Sequence, residues 1–211
     1  MIMSVENLKK KRIFFELYLK QESCFDFIEI FGNSNPVYLE IGCGRGEFLI
    51  QKALNLPDVN FLGIELKEKR IKTILRKLDF NLHKNVRIMK LFVDKNFKNQ
   101  IPKKSISKIY IIHPDPWPKR KHHKNRLING RFIDVLSEIL KSDCRLKIVT
   151  DHAEYAKWII KSFAGRKDFV SEYEKGYSYN PAEGHIETFF EKKKSQEGFK
   201  PIFMEFKKKR D

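Results

Sequence analysis

The chain has 211 residues, of which 41% are hydrophobic and 13% aromatic, and its 43 lysines and arginines outnumber its 27 aspartates and glutamates. This composition predicts a folded protein rather than a disordered one, and no apolar run approaches the roughly 20 residues of a membrane span. The three separated cysteines fit neither a disulfide framework nor a thiolate zinc site, so we expect a reducing cytoplasm and no metal. The net charge of +16 favours a polyanionic partner where the charge clusters locally.

In chain order, residues 1–35 are predicted to form a basic N-terminal arm or helix, and residues 36–211 a single domain. Strand-like and helix-like segments then alternate: strands at 37–41, 59–66, 86–93, 108–112 and 144–149, and helices at 47–55, 68–81, 129–140 and 153–163. This alternation predicts a Rossmann-like α/β fold, with a mostly parallel sheet and helices on both faces. Apolar runs at 186–190 and 202–206 predict a C-terminal antiparallel hairpin.

A glycine-rich loop follows the first predicted strand and opens the next helix. Gly42, Gly44 and Gly46 let the backbone turn sharply and let a ligand approach closely. Glu47 stands where a dinucleotide-binding loop has a third small residue, and its charge disfavours a pyrophosphate. The loop therefore argues against NAD or FAD. A tight turn without any ligand is the structural alternative.

Acidic residues end the predicted strands. Glu40, just before the glycines, suits a cationic or ammonium group, and Glu65 ends the second strand, where an acid typically accepts both hydroxyls of a ribose. S-adenosylmethionine carries an amino acid end, a sulfonium and an adenosine, so it matches both positions. Asp94, after the third strand, is expected either to meet the adenine amino group or to serve as a loop acid or helix cap.

The segment 113–126 combines a stiff loop with a strongly basic turn. Asp115 and Trp117 lie between three prolines, which exclude a helix until past Pro118. Five lysines and arginines follow without an intervening acid. We expect the loop to end a strand on the same rim as the methyl donor and to receive a nucleobase of RNA or DNA. Trp117 is expected either to stack on that base or to brace the loop.

Five segments occur in an order that resembles one family: residues 40–48, 63–65, 114–119, 150–152 and 188–191. The chain resembles the bacterial tRNA (guanine-N7)-methyltransferases, class I S-adenosylmethionine-dependent enzymes that methylate the variable-loop guanine of tRNA, at position 46. The resemblance runs from about residue 36 to the end. Residues 114–119 with the following His-His-Lys are specific to that family, whereas the glycine loop occurs in methyltransferases generally.

The resemblance implies roles for individual residues and a partner. Asp115 is the implied catalytic residue, and tRNA is the implied substrate. The protein is expected to be a monomer or a homodimer and not to bind a membrane. The implied S-adenosylmethionine-binding residues are Glu40, Gly42, Gly44, Glu65, Asp94 and Asp115. The implied substrate-binding residues are Lys119, Asp151, Thr188, Phe189, Phe190 and Glu191.

Several of these residues have alternative interpretations. The basic residues Lys119, Arg120, Lys121, Lys124 and Arg126 are expected to bind phosphates or to form a solvated turn. Asp151 is expected to bind substrate, or the pair Asp151-His152 to cap the next helix. The basic run at 9–12 is expected to contact RNA or to be a solvated helix face.

Two other functions remain open at this point. One is methylation of an exocyclic amino group, because loops of acid, prolines and an aromatic residue also serve amino-group methyltransferases. The other is RNA binding without catalysis, against which the intact acids Glu40, Glu65 and Asp115 argue.

Overall fold

The computed structural model describes residues 4–18, 24–93, 97–181 and 184–210. The chain divides into two compact units, Met1–Pro102 (unit 1) and Lys103–Asp211 (unit 2). No helix in the described ranges is long and apolar enough to cross a membrane. The prediction that residues 36–211 form one domain stays a prediction.

Unit 1 contains a four-stranded parallel sheet in the order β1-β4-β3-β2. Its elements are α1 (Val5–Phe15), β1 (Glu16–Leu17), α2 (Phe27–Phe31), β2 (Val37–Ile41), α3 (Glu47–Asn55), β3 (Asn60–Glu65), α4 (Glu68–Lys77) and β4 (Val86–Lys90). All six residues of β3 are buried. Because successive side chains of a strand point to opposite faces, both faces of the sheet are covered at β3.

The N-terminal residues pack onto unit 1. Phe15 is fully buried and belongs to the core cluster that contains Leu49, Phe61 and Ile74, and β1 extends the sheet beside β4. Lys11 is buried, and its ammonium donates to the carbonyl of Leu78. Neither alternative for the 9–12 run, RNA contact or a solvated face, therefore holds for Lys11.

Close packing of Leu49 and Cys43 against the backbone of unit 1 leaves no room for a side chain at Gly63. A Cβ at Gly63 would lie 2.5 Å from Cδ2 of Leu49 and 3.0 Å from Sγ of Cys43. We expect Gly63→Ala to lower the free energy of unfolding by about 1–3 kcal/mol because it overpacks the core. Urea denaturation checks this expectation, with Gly130→Ala as the control, since a Cβ at Gly130 meets nothing within 4 Å. Equal stability of the two variants would contradict it.

Unit 2 contains a mixed sheet in which β5 and β6 are parallel and β8 is antiparallel to both β6 and β7. Its elements are β5 (Ile106–Ile112), a 3₁₀ helix (Arg120–Asn125), α5 (Gly130–Ile139), β6 (Leu140–Thr150), α6 (Ala153–Ala164), β7 (Phe169–Ser171), α7 (Phe189–Gln196) and β8 (Ile202–Lys208). Taken together, the units confirm the α/β class with mostly parallel strands.

The predicted antiparallel pairing near the C-terminus is confirmed, but the predicted first strand is wrong. The partner of β8 outside β6 is Phe169–Ser171, not residues 186–190. Residues from 189 onward form α7 instead, because Thr188 and Glu191 make a capping box at its start. The Thr188 hydroxyl accepts from the Glu191 N–H, and the Glu191 carboxylate accepts from the Thr188 N–H, which satisfies two N–H groups at the helix start.

Candidate active site

The glycine loop of unit 1 joins β2 to α3. Gly42, Gly44 and Gly46 have φ angles of 77°, 58° and 74°, in the left-handed region that side chains disfavour. A Cβ at Gly42 would meet nothing within 4 Å. The backbone at Gly42 is thus open on the side where a side chain would project, which leaves space for a ligand.

The carboxylate of Glu65 secures the backbone around this loop. Its Oε1 accepts from the N–H groups of Leu66 and Lys67, at 3.0 and 2.8 Å, and its Oε2 accepts from the N–H of Gly44 at 3.0 Å. Arg70 Nη1 lies 3.3 Å from Oε2. Glu65 is therefore held at the carboxyl end of β3, directly against the glycine loop.

Glu40 is a buried acid at the end of β2. Its side chain is 4% exposed, and among the described residues its Oε2 has no hydrogen-bond partner. Burial, together with the negative charge of Glu65, raises the pKa of Glu40 to about 8. A buried acceptor without a partner suits a cationic ligand group. Asp94, the third predicted acid, lies outside the described residues.

In unit 2, the loop after β5 has a constrained backbone. His113 and Trp117 adopt left-handed φ angles of 51° and 44°, which are rare for residues other than glycine. The His113 N–H donates to the Val149 carbonyl at 2.8 Å. Helical structure resumes only at Arg120, which confirms that the prolines exclude a helix before that point.

The buried side chain of Arg126 holds this loop in place. Its Nε donates to the Pro116 carbonyl at 2.9 Å. Its guanidinium lies 5.1 Å from the ring centre of Tyr155 and 5.0 Å from that of Trp158. With the residue only 3% exposed, the expectation that Arg126 binds a phosphate is wrong, and its role in this structure is to position the loop.

Asp115 and Lys119 present exposed side chains on this loop. In the part of the chain that the structure describes, the Asp115 carboxylate has no hydrogen-bond or ion-pair partner. The Trp117 ring stacks on His122, with centroids 5.8 Å apart and planes inclined by 10°. This packing favours the bracing role of Trp117 over stacking on a base.

Asp151 and Glu191, which the chain places 40 residues apart, meet at a histidine. His113 Nδ1 lies 3.5 Å from Asp151 Oδ1, and its Nε2 lies 3.4 Å from Glu191 Oε1. Glu191 is 2% exposed, and its Oε1 is also 3.0 Å from His185 Nε2. The alternative that the pair Asp151-His152 caps the next helix is confirmed for His152, whose side chain accepts from the Tyr155 N–H at the start of α6, and not for Asp151.

The start of α7 exposes two aromatic side chains beside the buried Glu191. Phe189 is 65% exposed and Phe190 is 44% exposed. The Phe190 ring lies 4.8 Å from the His113 ring. Thus Thr188 and Glu191 order the helix start, while the two phenylalanines face solvent.

Sequence reasoning missed the two histidines of this cluster. His113 could have been noticed, because it is a histidine that ends a buried strand directly before the proline loop. Nothing local to His185 indicates its contact with Glu191, which depends on the fold of the C-terminal segment. Among residues 4–18, 24–93, 97–181 and 184–210, no group of three or more His, Cys, Asp or Glu side chains is arranged to hold a metal ion.

The sequence of the chain is similar to those of known methyltransferases. A family model described as "Putative methyltransferase" matches residues 34–204. A tRNA (guanine-N(7)-)-methyltransferase of Buchnera aphidicola subsp. Acyrthosiphon pisum (strain Tuc7) is 35% identical over 190 residues, which are 90% of this chain and 80% of that protein. One from Desulfitobacterium hafniense (strain Y51) is 34% identical and covers 83% of this chain and 81% of its own length.

Solved structures share the fold at low sequence identity. An antibiotic-related methyltransferase has a TM-score of 0.57 at 17% identity, covering 91% of this chain and 100% of its own. A 30S ribosomal A1408 methyltransferase from an uncultured bacterium has a TM-score of 0.53 at 18% identity, covering 92% and 98%. These likenesses confirm the Rossmann-like class I methyltransferase fold. By its sequence, the chain belongs to the tRNA (guanine-N7)-methyltransferase family.

Proposed function

We propose that unit 1 binds the methyl donor through Glu40, Gly42, Gly44 and Glu65, and that unit 2 positions the target guanine through Asp115. The protein itself is an S-adenosylmethionine-dependent methyltransferase that acts on N7 of guanine in tRNA, as its family membership establishes. The observation that best supports the proposed roles is the exposed carboxylate of Asp115, which has no partner among the described residues, on a loop with a constrained backbone.

The residues of unit 1 fit S-adenosylmethionine. The buried, unpartnered Oε2 of Glu40 would accept from the ammonium of the methionine end. The open backbone at Gly42 gives the ligand room to approach. Glu65, held by three backbone N–H groups, presents a fixed carboxylate to the ribose hydroxyls. When bound, the donor supplies an electrophilic methyl group.

The chemistry on the guanine side needs no general base, because N7 carries a lone pair and no proton. The task of unit 2 is to orient the ring, and such alignment lowers a barrier by about 7–11 kcal/mol in well-aligned systems. The Asp115 carboxylate would accept from the N1 and N2 hydrogens of guanine. Its charge would also stabilise the positive charge that develops on the ring as N7 is alkylated.

The remaining substrate contacts come from α7 and the rim of β6. Phe189 and Phe190 expose apolar rings that suit stacking on a nucleobase or packing against a ribose. Asp151 and the Thr188–Glu191 segment are held together by the contacts around His113. In this proposal Glu191, being buried, acts by ordering the segment rather than by touching the RNA.

The basic turn after the loop would bind the tRNA backbone. Lys119, Arg120, Lys121 and Lys124 are all exposed, as phosphate contacts require. The target within tRNA is proposed to be the guanine at position 46 of the variable loop.

We expect Lys119→Ala to weaken tRNA binding. The negative slope of log K against log salt should become less steep by about one. Each lost phosphate contact releases one counterion fewer, so the effect should be larger at low salt. Filter binding over a range of potassium chloride concentrations measures it. The control is Lys161→Ala, which changes an exposed lysine on α6. An identical slope for wild type and Lys119→Ala would remove Lys119 from the contact surface.

The reaction product tests the function itself. Labelled S-adenosylmethionine and tRNA are incubated with the protein, the tRNA is digested, and the nucleosides are identified by mass spectrometry. We expect 7-methylguanosine. An N2-methylated or N6-methylated nucleoside would instead support the amino-group alternative.

A further inference from the structure

His113 is the centre of a buried charge cluster in unit 2. Its side chain is 9% exposed, and its two ring nitrogens face different carboxylates, Asp151 at 3.5 Å and Glu191 at 3.4 Å. At these distances the contacts are ion pairs rather than well-aligned hydrogen bonds, and neither ring nitrogen has a hydrogen-bond partner among the described residues. The cluster joins the ends of β5 and β6 to the first turn of α7.

The arrangement determines the charge of the imidazole. An ionised carboxylate only accepts, whereas a neutral imidazole has one N–H and one lone pair. A neutral ring would therefore point a lone pair at one of the two carboxylates in a buried setting. A doubly protonated ring is attracted to both, so the geometry favours the imidazolium.

The neighbouring charges raise the pKa of His113 and lower the pKa values of both carboxylates. Burial alone lowers the pKa of His113, but Asp151 and Glu191 outweigh it and raise that pKa above its ordinary value. The pKa of Asp151 is lowered, mainly by its interaction with His113 and least by the charge of Lys194. Burial raises the pKa of Glu191, but His113, His185 and the Thr188 N–H outweigh it, and the net direction is down. Both carboxylates are thus ionised at neutral pH.

We infer that His113 is a positioning residue for methyl transfer: its imidazolium bridges Asp151 and Glu191 and so holds the Asp115 loop and the start of α7 in their working arrangement. His113 stands two residues before Asp115, has a left-handed backbone and contacts the Phe190 ring at 4.8 Å. Loss of the positive charge on the His113 ring removes both ion pairs, so α7 and the Asp115 loop are no longer held together. This inference rests on the proposed role of Asp115 and deepens it.

Its consequence is a loss of turnover as pH rises through the pKa of His113. Because the pKa of His113 is raised, the stabilisation that the charge provides is complete below the unfolded-state pKa near 6.5 and is lost as pH rises through the folded-state pKa. We expect kcat to decrease as pH rises, with its midpoint at the folded-state pKa of His113. In Glu191→Gln, which removes one of the two carboxylates, this decrease should move to lower pH, and a purely steric role for His113 would not produce this shift.

The substitution His113→Gln tests the positioning role directly. We expect kcat to fall about 100-fold, as small misplacements of reacting groups do, while KM for S-adenosylmethionine changes little and the decrease of kcat with rising pH disappears. The matched control is His83→Gln, a second buried histidine, which lies in unit 1 and bonds to the backbone of Asp79. A decrease of kcat with rising pH that persists in His113→Gln would overturn the inference.

A measurement on the unmodified protein keeps the inference testable if the variants fail to fold. Long-range ¹H–¹⁵N correlation spectra report the protonation of each histidine ring, and because its pKa is raised above 6.5, His113 should carry protons on both nitrogens at pH 6. A neutral His113 at pH 6 would overturn the inference even if 7-methylguanosine is formed. Conversely, a charged His113 in a protein that makes no 7-methylguanosine would sustain the charge assignment and refute the proposed function.

Discussion

Replacing Asp115 with asparagine should lower kcat about 100- to 1,000-fold at saturating tRNA and S-adenosylmethionine, which is the size of effect seen when one preorganised electrostatic group is removed from an active site. Asparagine keeps the shape of the side chain but loses the charge that opposes the positive charge developing on the guanine. Its amide also presents hydrogens where guanine N1 and N2 donate. The loop itself should persist, because Arg126 and the prolines hold it.

Steady-state kinetics with labelled donor measure this effect, and filter binding at one fixed salt concentration measures tRNA affinity. We expect affinity to change only modestly, because a single carboxylate contributes nothing to phosphate binding. The control is Asp134→Asn, an exposed acid of α5 that pairs with Arg166. If binding and turnover fell by the same factor, Asp115 would be a structural residue and not a catalytic one.

Replacing Glu40 with glutamine should weaken S-adenosylmethionine binding about 10- to 100-fold, the equivalent of one charge-assisted hydrogen bond of about 1.5–3 kcal/mol. The buried Glu40 has a pKa of about 8, so at pH 7 it is protonated in the free protein. An ammonium requires the carboxylate, and binding at pH 7 must therefore release a proton. Affinity should accordingly fall as pH is lowered below about 8.

The raised pKa of Glu40 also determines how its contribution to folding stability changes with pH. Because the pKa is raised from 4.5, the protonated side chain supports folding fully below pH 4.5, and this contribution is lost as pH rises towards 8.

Calorimetry of S-adenosylmethionine binding in two buffers of different ionisation enthalpy counts the proton that Glu40 releases. This proton release should be absent in Glu40→Gln. Glu68→Gln, which changes a half-buried acid that pairs with Lys90 and Arg12, is the control. A pH-independent affinity in the wild-type protein would contradict this role for Glu40.

Much of the fold follows from local sequence patterns. The bounds of β2 and α3 agree with the prediction, and α5 and α6 agree to within one residue at each end. These elements combine a clear apolar periodicity with unambiguous end signals, such as the glycines before α3. Local preference and tertiary packing agree there, so the pattern alone is sufficient.

The C-terminal segment shows where an apolar run misleads. Residues 186–190 have strand-like composition, but the Thr188 and Glu191 pair is a helix-start signature that outweighs it. The true strand, Phe169–Ser171, has only three residues, too few for any periodicity. Its place in the sheet depends on pairing with β8, which is a tertiary interaction.

The candidate site was predictable in its residue types but not in its connections. Glu40 and Glu65 lie at the carboxyl ends of β2 and β3, Asp115 lies in the loop after β5, and these positions can be read from the chain. The charge pattern could not reveal that Arg126 is buried between Tyr155 and Trp158, because both rings come from α6. The link from Asp151 through His113 to Glu191 likewise requires three segments to fold together.

A tRNA carrying 7-deazaguanine at position 46 distinguishes methylation at N7 from methylation at any other atom of the guanine that unit 2 is proposed to present. In this base a carbon replaces N7, while the N1, N2 and O6 edges are retained. We expect methyl transfer to the unmodified tRNA, giving 7-methylguanosine, and no transfer to the 7-deazaguanine tRNA, although the two should bind with similar affinity. Methylation of the 7-deazaguanine at another atom of that base would contradict this expectation.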